Sequence, residues 1–179
     1  MFGQKKTYEC FSQDTLWSMN DRIYSQEKGE AWLQVPMLFT VNCKIASYMA
    51  QSIAKLMKAH PDSKAQILEL GCGLGAFSFY LYYFLKKLNV DFQMTLSDMN
   101  QLSLDYLKVL PQWQDLPVNW LVIDVRKPID LSKIGDGPLF VICNYFADSM
   151  PFIGLKKDNT GWHHAMVRVD ECNKFNSKN

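Results

Sequence analysis

Apolar and polar positions follow two regimes along this chain. Ahead of Pro61, apolar residues recur at helical spacing. Ala46, Met49, Ile53, Leu56 and Met57 define one face of a helix that Pro61-Asp62-Ser63 closes near His60. Upstream, Thr15–Tyr24 carries Leu16, Trp17, Ile23 and Tyr24 and predicts a shorter helix. Gly29–Asn42, with Trp32, Pro36 and Phe39, is expected to be a connecting arm. From Ala65 onward, short apolar runs alternate with helix-length segments. Strands are expected over Ala65–Leu70, Asp91–Leu96, Val118–Ile123 and Pro138–Cys143, and helices over Ala76–Leu88 and Leu102–Leu110. The helix at Ala76 is apolar on nearly every side, which predicts cover on two faces. Pro138–Cys143 holds no polar interruption, the signature of a central parallel strand. Alternation of this kind means βαβ units. The expected fold class is α/β: a Rossmann-like parallel sheet flanked by helices. Residues 1–64 form an N-terminal helical cap and arm, and residues 65–179 the main domain. Right-handed crossovers would place a ligand at the carboxyl ends of the strands.

Beyond the fourth strand, Phe152–Leu155 and Ala165–Val169 predict a hairpin around Lys156–Gly161. The polar tail from Asn173 is expected to fray. His163 and His164 are adjacent and would point to opposite faces of such a hairpin, so they form a poor shared ligand site.

Composition narrows the classes. A chain of 179 residues with 48% hydrophobic content can bury a core, and a formal net charge of +1 leaves no basic footprint for nucleic acid. The five cysteines contain no Cys-x-x-Cys pair, so neither a disulfide framework nor a zinc site is expected, and no other metal. Free buried thiols in a reducing compartment are the expectation. The first residues lack an apolar signal core, and the longest apolar run, Ala76–Leu85, is too short to span a bilayer. A cytoplasmic protein without membrane association is expected.

Candidate chemistry concentrates in Ile67-Leu-Glu-Leu-Gly-Cys-Gly-Leu-Gly-Ala-Phe77. A strand, a glycine turn and a helix start follow one another here. Such a turn offers bare backbone and the positive end of a helix to a nucleotide-like ligand. Gly71, Gly73 and Ala76 satisfy the dinucleotide fingerprint G-x-G-x-x-G/A. Glu69, Gly71, Gly73 and Gly75 satisfy the fuller E/D-x-G-x-G-x-G pattern associated with S-adenosylmethionine (SAM). The acid separates the two, because a carboxylate repels a diphosphate and attracts the ammonium and sulfonium of SAM. Asp98 and Asp124 follow the second and third strands. From the residues alone, Asp98 could equally cap the next helix, and Asp124 could pair with Arg126 or Lys127 in a turn.

The loop and the order of the acids resemble the class I SAM-dependent methyltransferases from about Ala65 to Phe152. A closer resemblance is to a poorly characterised methyltransferase-like family with a G-x-x-A-W…V-P-x-x-x-T-x-N arm. Here that arm reads Gly29-Glu-Ala-Trp32 and Val35-Pro-Met-Leu-Phe-Thr-Val-Asn42. The family's N-Y-x-F-D-S segment reads Asn144-Tyr-Phe-Ala-Asp-Ser149, and its M-T-D strand reads Met94-Thr-Leu-Ser-Asp98, with the acid displaced. The resemblance implies SAM as cofactor. Glu69, Gly71, Gly73 and Gly75 would hold its methionine part, Asp98 the ribose and Asp124 the adenine amino group. Thr40 and Asn42 would close the arm over it, and Asn144, Tyr145 and Asp148 would face the methyl acceptor as catalytic groups. That acceptor would be a small molecule or a protein. A class I core has seven strands, and only four and a hairpin can be placed here. An unfinished sheet would leave an edge open to self-association. The alternatives are an inactive methyltransferase-like binding or structural module, or a fragment, and third a nicotinamide-dependent oxidoreductase.

Overall fold

A computed structural model describes residues 7–10, 42–147, 150, 154–164 and 166–169. The expected helix at Thr15–Tyr24 and nearly all of the Gly29–Asn42 arm, including Thr40, lie outside these residues. So do Asp148 and the polar tail.

The chain divides into two compact units. The larger spans Ile23–Ala147 and holds helix α1 (Cys43–Met57), strand β2 (Ala65–Leu70), helix α2 (Ala76–Lys87), strand β3 (Phe92–Asp98) and helix α3 (Gln101–Lys108). It continues with the short helix α4 (Pro111–Gln114) and strands β4 (Val118–Val122) and β5 (Leu139–Ile142). The four strands form one parallel sheet in the order β4-β3-β2-β5. The chain thus steps outward from β2 to β4 and then returns to the other side of β2. That reversal lies at the carboxyl ends of β2 and β5, the usual ligand position in open α/β sheets.

Alternation along the strands sorts the sheet into two faces. Ala65 and Ile67 of β2, Met94 and Leu96 of β3 and Ile142 of β5 share one core with α1, α2 and α3. Leu68 and Leu70 point the other way, against Ile134 with Leu121, Ile123 and Phe146 beside it. On α1 the buried stripe is Ala46, Ala50, Ile53 and Met57, and its alanines let α1 lie close along α2. Leu56, expected on that stripe, is 59% exposed. At 100° per residue it stands about 90° from the stripe's centre, where helical spacing alone misleads. Helix α2 is covered by both the sheet and α1, as its all-round apolarity required, although Tyr83 stays exposed.

Three expectations need correction. Strand β5 is an edge strand among the described residues, not a central one. Leu139 and Val141 are 40% and 49% exposed, while Ile142 is buried. An apolar run shows that a strand could be covered on both faces, not that it is. Buried thiols were expected, yet of the three cysteines whose burial is described Cys72 is buried, and Cys43 and Cys143 are exposed. The hairpin is also tighter than read. Strand β6 (Leu155–Asp158) pairs with β7 (Gly161–His164), and Met166–Val169, strand β8, instead pairs antiparallel with β1 (Thr7–Cys10). Asp158 sets that turn by accepting from the backbone N–H and the hydroxyl of Thr160 (2.8 and 2.6 Å). His163 donates or accepts within the same turn, 2.8 Å from the Thr160 hydroxyl, and so belongs to the hairpin's structure. These four strands fall in the second unit, Met1–Arg22 with Asp148–Asn179.

The connection from β4 to β5 is held by Gln66, whose amide donates to the Asp136 carbonyl at 3.1 Å. Gly137 in that connection has φ 128°, and a Cβ there would stand 2.3 Å from the Lys64 carbonyl oxygen. Gly137→Ala is therefore expected to lose about 2–3 kcal/mol of stability. A lower urea midpoint at unchanged slope would register it, and an unshifted midpoint would contradict this packing.

Candidate cofactor site

Strands β2 and β5 are in register from Gln66–Leu139 to Glu69–Ile142, so their chains leave the sheet side by side. One becomes the glycine loop and the other Cys143-Asn144-Tyr145. Gly71, Gly73 and Gly75 all take left-handed backbone, with φ 66°, 51° and 69°. Gly75 is the N-cap of α2, and no side chain caps that helix. Its first turn therefore keeps the donor groups that suit an anion such as a carboxylate.

The loop is fastened to β3. Ser97 accepts from the Cys72 N–H (2.8 Å) through its carbonyl, and its hydroxyl donates to the Glu69 carbonyl (2.7 Å). Asp98 ends β3, two residues beyond the expected limit of that strand. Its carboxylate accepts from the N–H of Gly73 (3.3 Å) and of Asn100 (3.0 Å). The helix-cap role falls instead to Asn100, whose side chain accepts from Leu102 N–H at 2.9 Å. Burial raises the Asp98 pKa, partly offset by hydrogen bonds from Asn100, Gly73 and Met99. Four acceptor positions on a carboxylate leave room beyond those N–H groups for a hydroxyl.

Glu69 faces the α2 side of the sheet and is only 2% exposed. The hydroxyl of Ser78 on α2 donates to its carboxyl. Burial, opposed by that hydrogen bond and assisted by Asp98, pushes the Glu69 pKa from 4.5 to about 8. Burial likewise pushes the Cys72 thiol up, with Glu69 and Asp98 adding to it. Among the described residues, no Lys, Arg or His pairs with either acid.

Asp124 follows β4 and is engaged differently. Arg126 donates to it through Nε (2.8 Å), Nη2 (3.1 Å) and its backbone N–H (3.1 Å), and Lys127 stands 3.5 Å away. The Arg126 hydrogen bonds, led by the side chain, hold its pKa at about 2. The turn pairing left open by the sequence is thus present, and a base contact would have to compete with Arg126. Asn42 is the N-cap of α1, accepting from Ile45 N–H at 3.0 Å.

Past β5, Asn144 is half-buried. Tyr145 is 39% exposed and sits at φ 50°, a left-handed conformation uncommon for an aromatic residue and concentrated at functional sites. Phe146 then folds onto the loop: a Cβ on Gly71 would stand 2.6 Å from its ring. Trp113 approaches Gly75 in the same manner, at 3.1 Å, and packs edge-on against Phe79 and Trp120. Phe146, Trp113 and Ser78 were not read as site residues. Ser78 had a usable signal, a lone small polar residue one turn into an apolar helix that follows a buried acid.

Glu69, the glycine loop and Asp98 thus lie together at the carboxyl ends of β2 and β3, and Asn144 and Tyr145 leave β5 beside them at the strand-order reversal. No protein-family model matches the chain, and neither does any curated protein. Solved structures do. An uncharacterized protein from Burkholderia thailandensis superposes with a TM-score of 0.55 at 18% identity, covering 91% of this chain and 43% of that one. A member of the same superfamily from that organism, described as a "likely methyl transferase" and bound to S-adenosyl-homocysteine, gives 0.54 at 17% identity, covering 91% and 45%. The fold is class I methyltransferase-like. The chain spans less than half the length of either structure. Within the class I methyltransferase-like fold, the described sheet supplies the strands β4-β3-β2-β5. No helix among the described residues is long and apolar enough to cross a membrane.

Proposed function

We propose that this chain binds SAM beyond the carboxyl ends of β2 and β5 and transfers its methyl group to a small-molecule or protein acceptor. One observation carries the reading: two buried acids, Glu69 and Asp98, flank a glycine loop with no counter-cation among the described residues. Such a pocket disfavours a diphosphate and favours an ammonium or sulfonium. The residues fit the rest of the molecule too. The uncapped start of α2 suits the methionine carboxylate, and Asp98 has acceptor capacity for a ribose hydroxyl. The adenine amino group would reach Asp124 only by displacing part of Arg126's contact.

SAM supplies the transferable methyl on its sulfonium. The chain's contribution is to orient. Asn144 can accept from an amine or amide acceptor, and Tyr145 can stack on a flat one. Holding the partners in line is worth up to ~7–11 kcal/mol of the barrier. Thr40 and Asp148, outside the described residues, are carried in this proposal as a lid contact and an acceptor base.

Calorimetric titration of the full chain tests it. SAM and S-adenosyl-homocysteine should bind and NAD should not. Asp98→Asn should weaken SAM binding about 10–100-fold, through loss of charge-assisted hydrogen bonds. A folded chain that ignores SAM, or that prefers NAD, sinks the proposal. A second reading, a SAM-binding module without turnover, draws on the exposed apolar side chains of β5. Binding without methylation of any acceptor would favour it.

A further inference from the structure

Glu69 occupies an unusual position for an acid. It lies at the end of a strand whose six residues are all buried, directly before the glycine loop. Among the described residues its neighbours offer no positive charge. Helix α2 contributes the Ser78 hydroxyl, β3 contributes Asp98, the loop contributes Cys72, and β5 places Ile142 opposite it in register. Helix α1 adds only alanines and other apolar groups to the same core. Two acids and a thiol thus lie close together in a buried setting, and among the described side chains the Ser78 hydroxyl is the donor to Glu69. The least costly free state of such a cluster keeps a proton on it. A cation placed over the loop changes that balance, because an opposite charge within ~4–6 Å favours the ionised carboxylate by about 1–3 pKa units.

We propose that binding of the cationic cofactor is coupled to release of the Glu69 proton to solvent, so that Glu69 is neutral when the site is empty and joins Asp98 as a second negative charge only when the cation arrives. The proposal rests on the SAM reading above and specifies its regulation. The balance is simple: a neutral carboxyl and a cation enter, a carboxylate–cation pair and one solvated proton leave. A protonated Glu69 in the empty site avoids a second buried charge beside Asp98, while the filled site still provides the attraction. The pKa of about 8 for the empty site agrees with this arrangement.

The linkage has a direct readout. SAM is titrated calorimetrically into the full chain at pH 6.5, in phosphate and in a buffer of high ionisation enthalpy. The slope of apparent enthalpy against buffer enthalpy counts protons. About 0.5–1 proton should leave per SAM bound, falling towards zero at pH 9.5. Glu69→Gln should bind SAM more weakly and without that buffer-dependent heat. Wild-type binding with buffer-independent heat at pH 6.5 overturns the proton linkage while leaving the SAM reading intact. Wild-type chain that is folded yet binds no SAM overturns both. If the variant does not fold, the wild-type slope at the two pH values still decides.

Discussion

Gly71→Val is expected to lose about 3 kcal/mol of stability and all measurable SAM binding. The φ of 66° at Gly71 costs a residue with a side chain about 1–2 kcal/mol. A Cβ there meets the Phe146 ring at 2.6 Å, and relieving such an overlap costs about another 1–3 kcal/mol. The same side chain would also bar the close backbone approach that the loop offers a ligand. Urea denaturation and calorimetry measure the two losses separately. A control isolates the contact: Gly71→Ala combined with Phe146→Ala should be less destabilised than the sum of the two single changes, since each relieves the other. Additive losses would show that Phe146 does not press on this glycine.

The second large effect is on stability against pH. Glu69 holds its proton to about pH 8 in the folded chain and loses it near 4.5 when unfolded. Between those values the folded state binds the extra proton, so stability falls as pH rises through that window and levels off above it. Each pH unit is worth about 1.4 kcal/mol, or ~3 kcal/mol between pH 4.5 and 7. Glu69→Gln removes this slope. The difference in unfolding free energy, variant minus wild type, should therefore grow by ~3 kcal/mol from pH 4.5 to 7. Asp124, Asp130 and Asp158, whose pKa values are lowered, act with the opposite sign and lose their contribution as pH falls. They cancel in the difference. A flat difference curve would mean that Glu69 ionises normally in the folded chain.

Taken together, the two variants separate what the loop does from what lies beneath it. Under the proposed function, Gly71 would control the approach of a ligand from above, and Glu69 would set the charge that the ligand meets. Their effects on SAM binding would differ in kind: one removes the binding surface, the other its response to pH.

Local patterns carried much of this structure. The strand, glycine turn and helix at Ile67–Phe77 were legible because tight turns and helix starts are made by neighbouring residues. The parallel sheet followed from alternation of apolar runs with helix-length segments, and Asn42 and Asp98 fell where strands and helices change over. The acid pair was legible as residues, but its consequence was not. Whether a carboxyl is charged depends on what lies within a few ångströms, and Ser78, Asp98 and Cys72 reach Glu69 only through folding. The position of β5 was likewise undecided, since a run such as Leu139–Ile142 is apolar whether or not a neighbour covers it. Helix spacing placed Leu56 on the wrong side by a quarter turn, and only the packing of α1 on α2 chose the alanine face. The actual hairpin register hung on one side chain, Asp158, turning back to Thr160. The sequence by itself determined the order of the four parallel strands and the glycine turn before α2, because both arise from contacts short in sequence. Tertiary structure alone decided edge against centre, neutral acid against carboxylate, and the seating of Phe146 on Gly71, because each is a property of residues that meet across long stretches of chain.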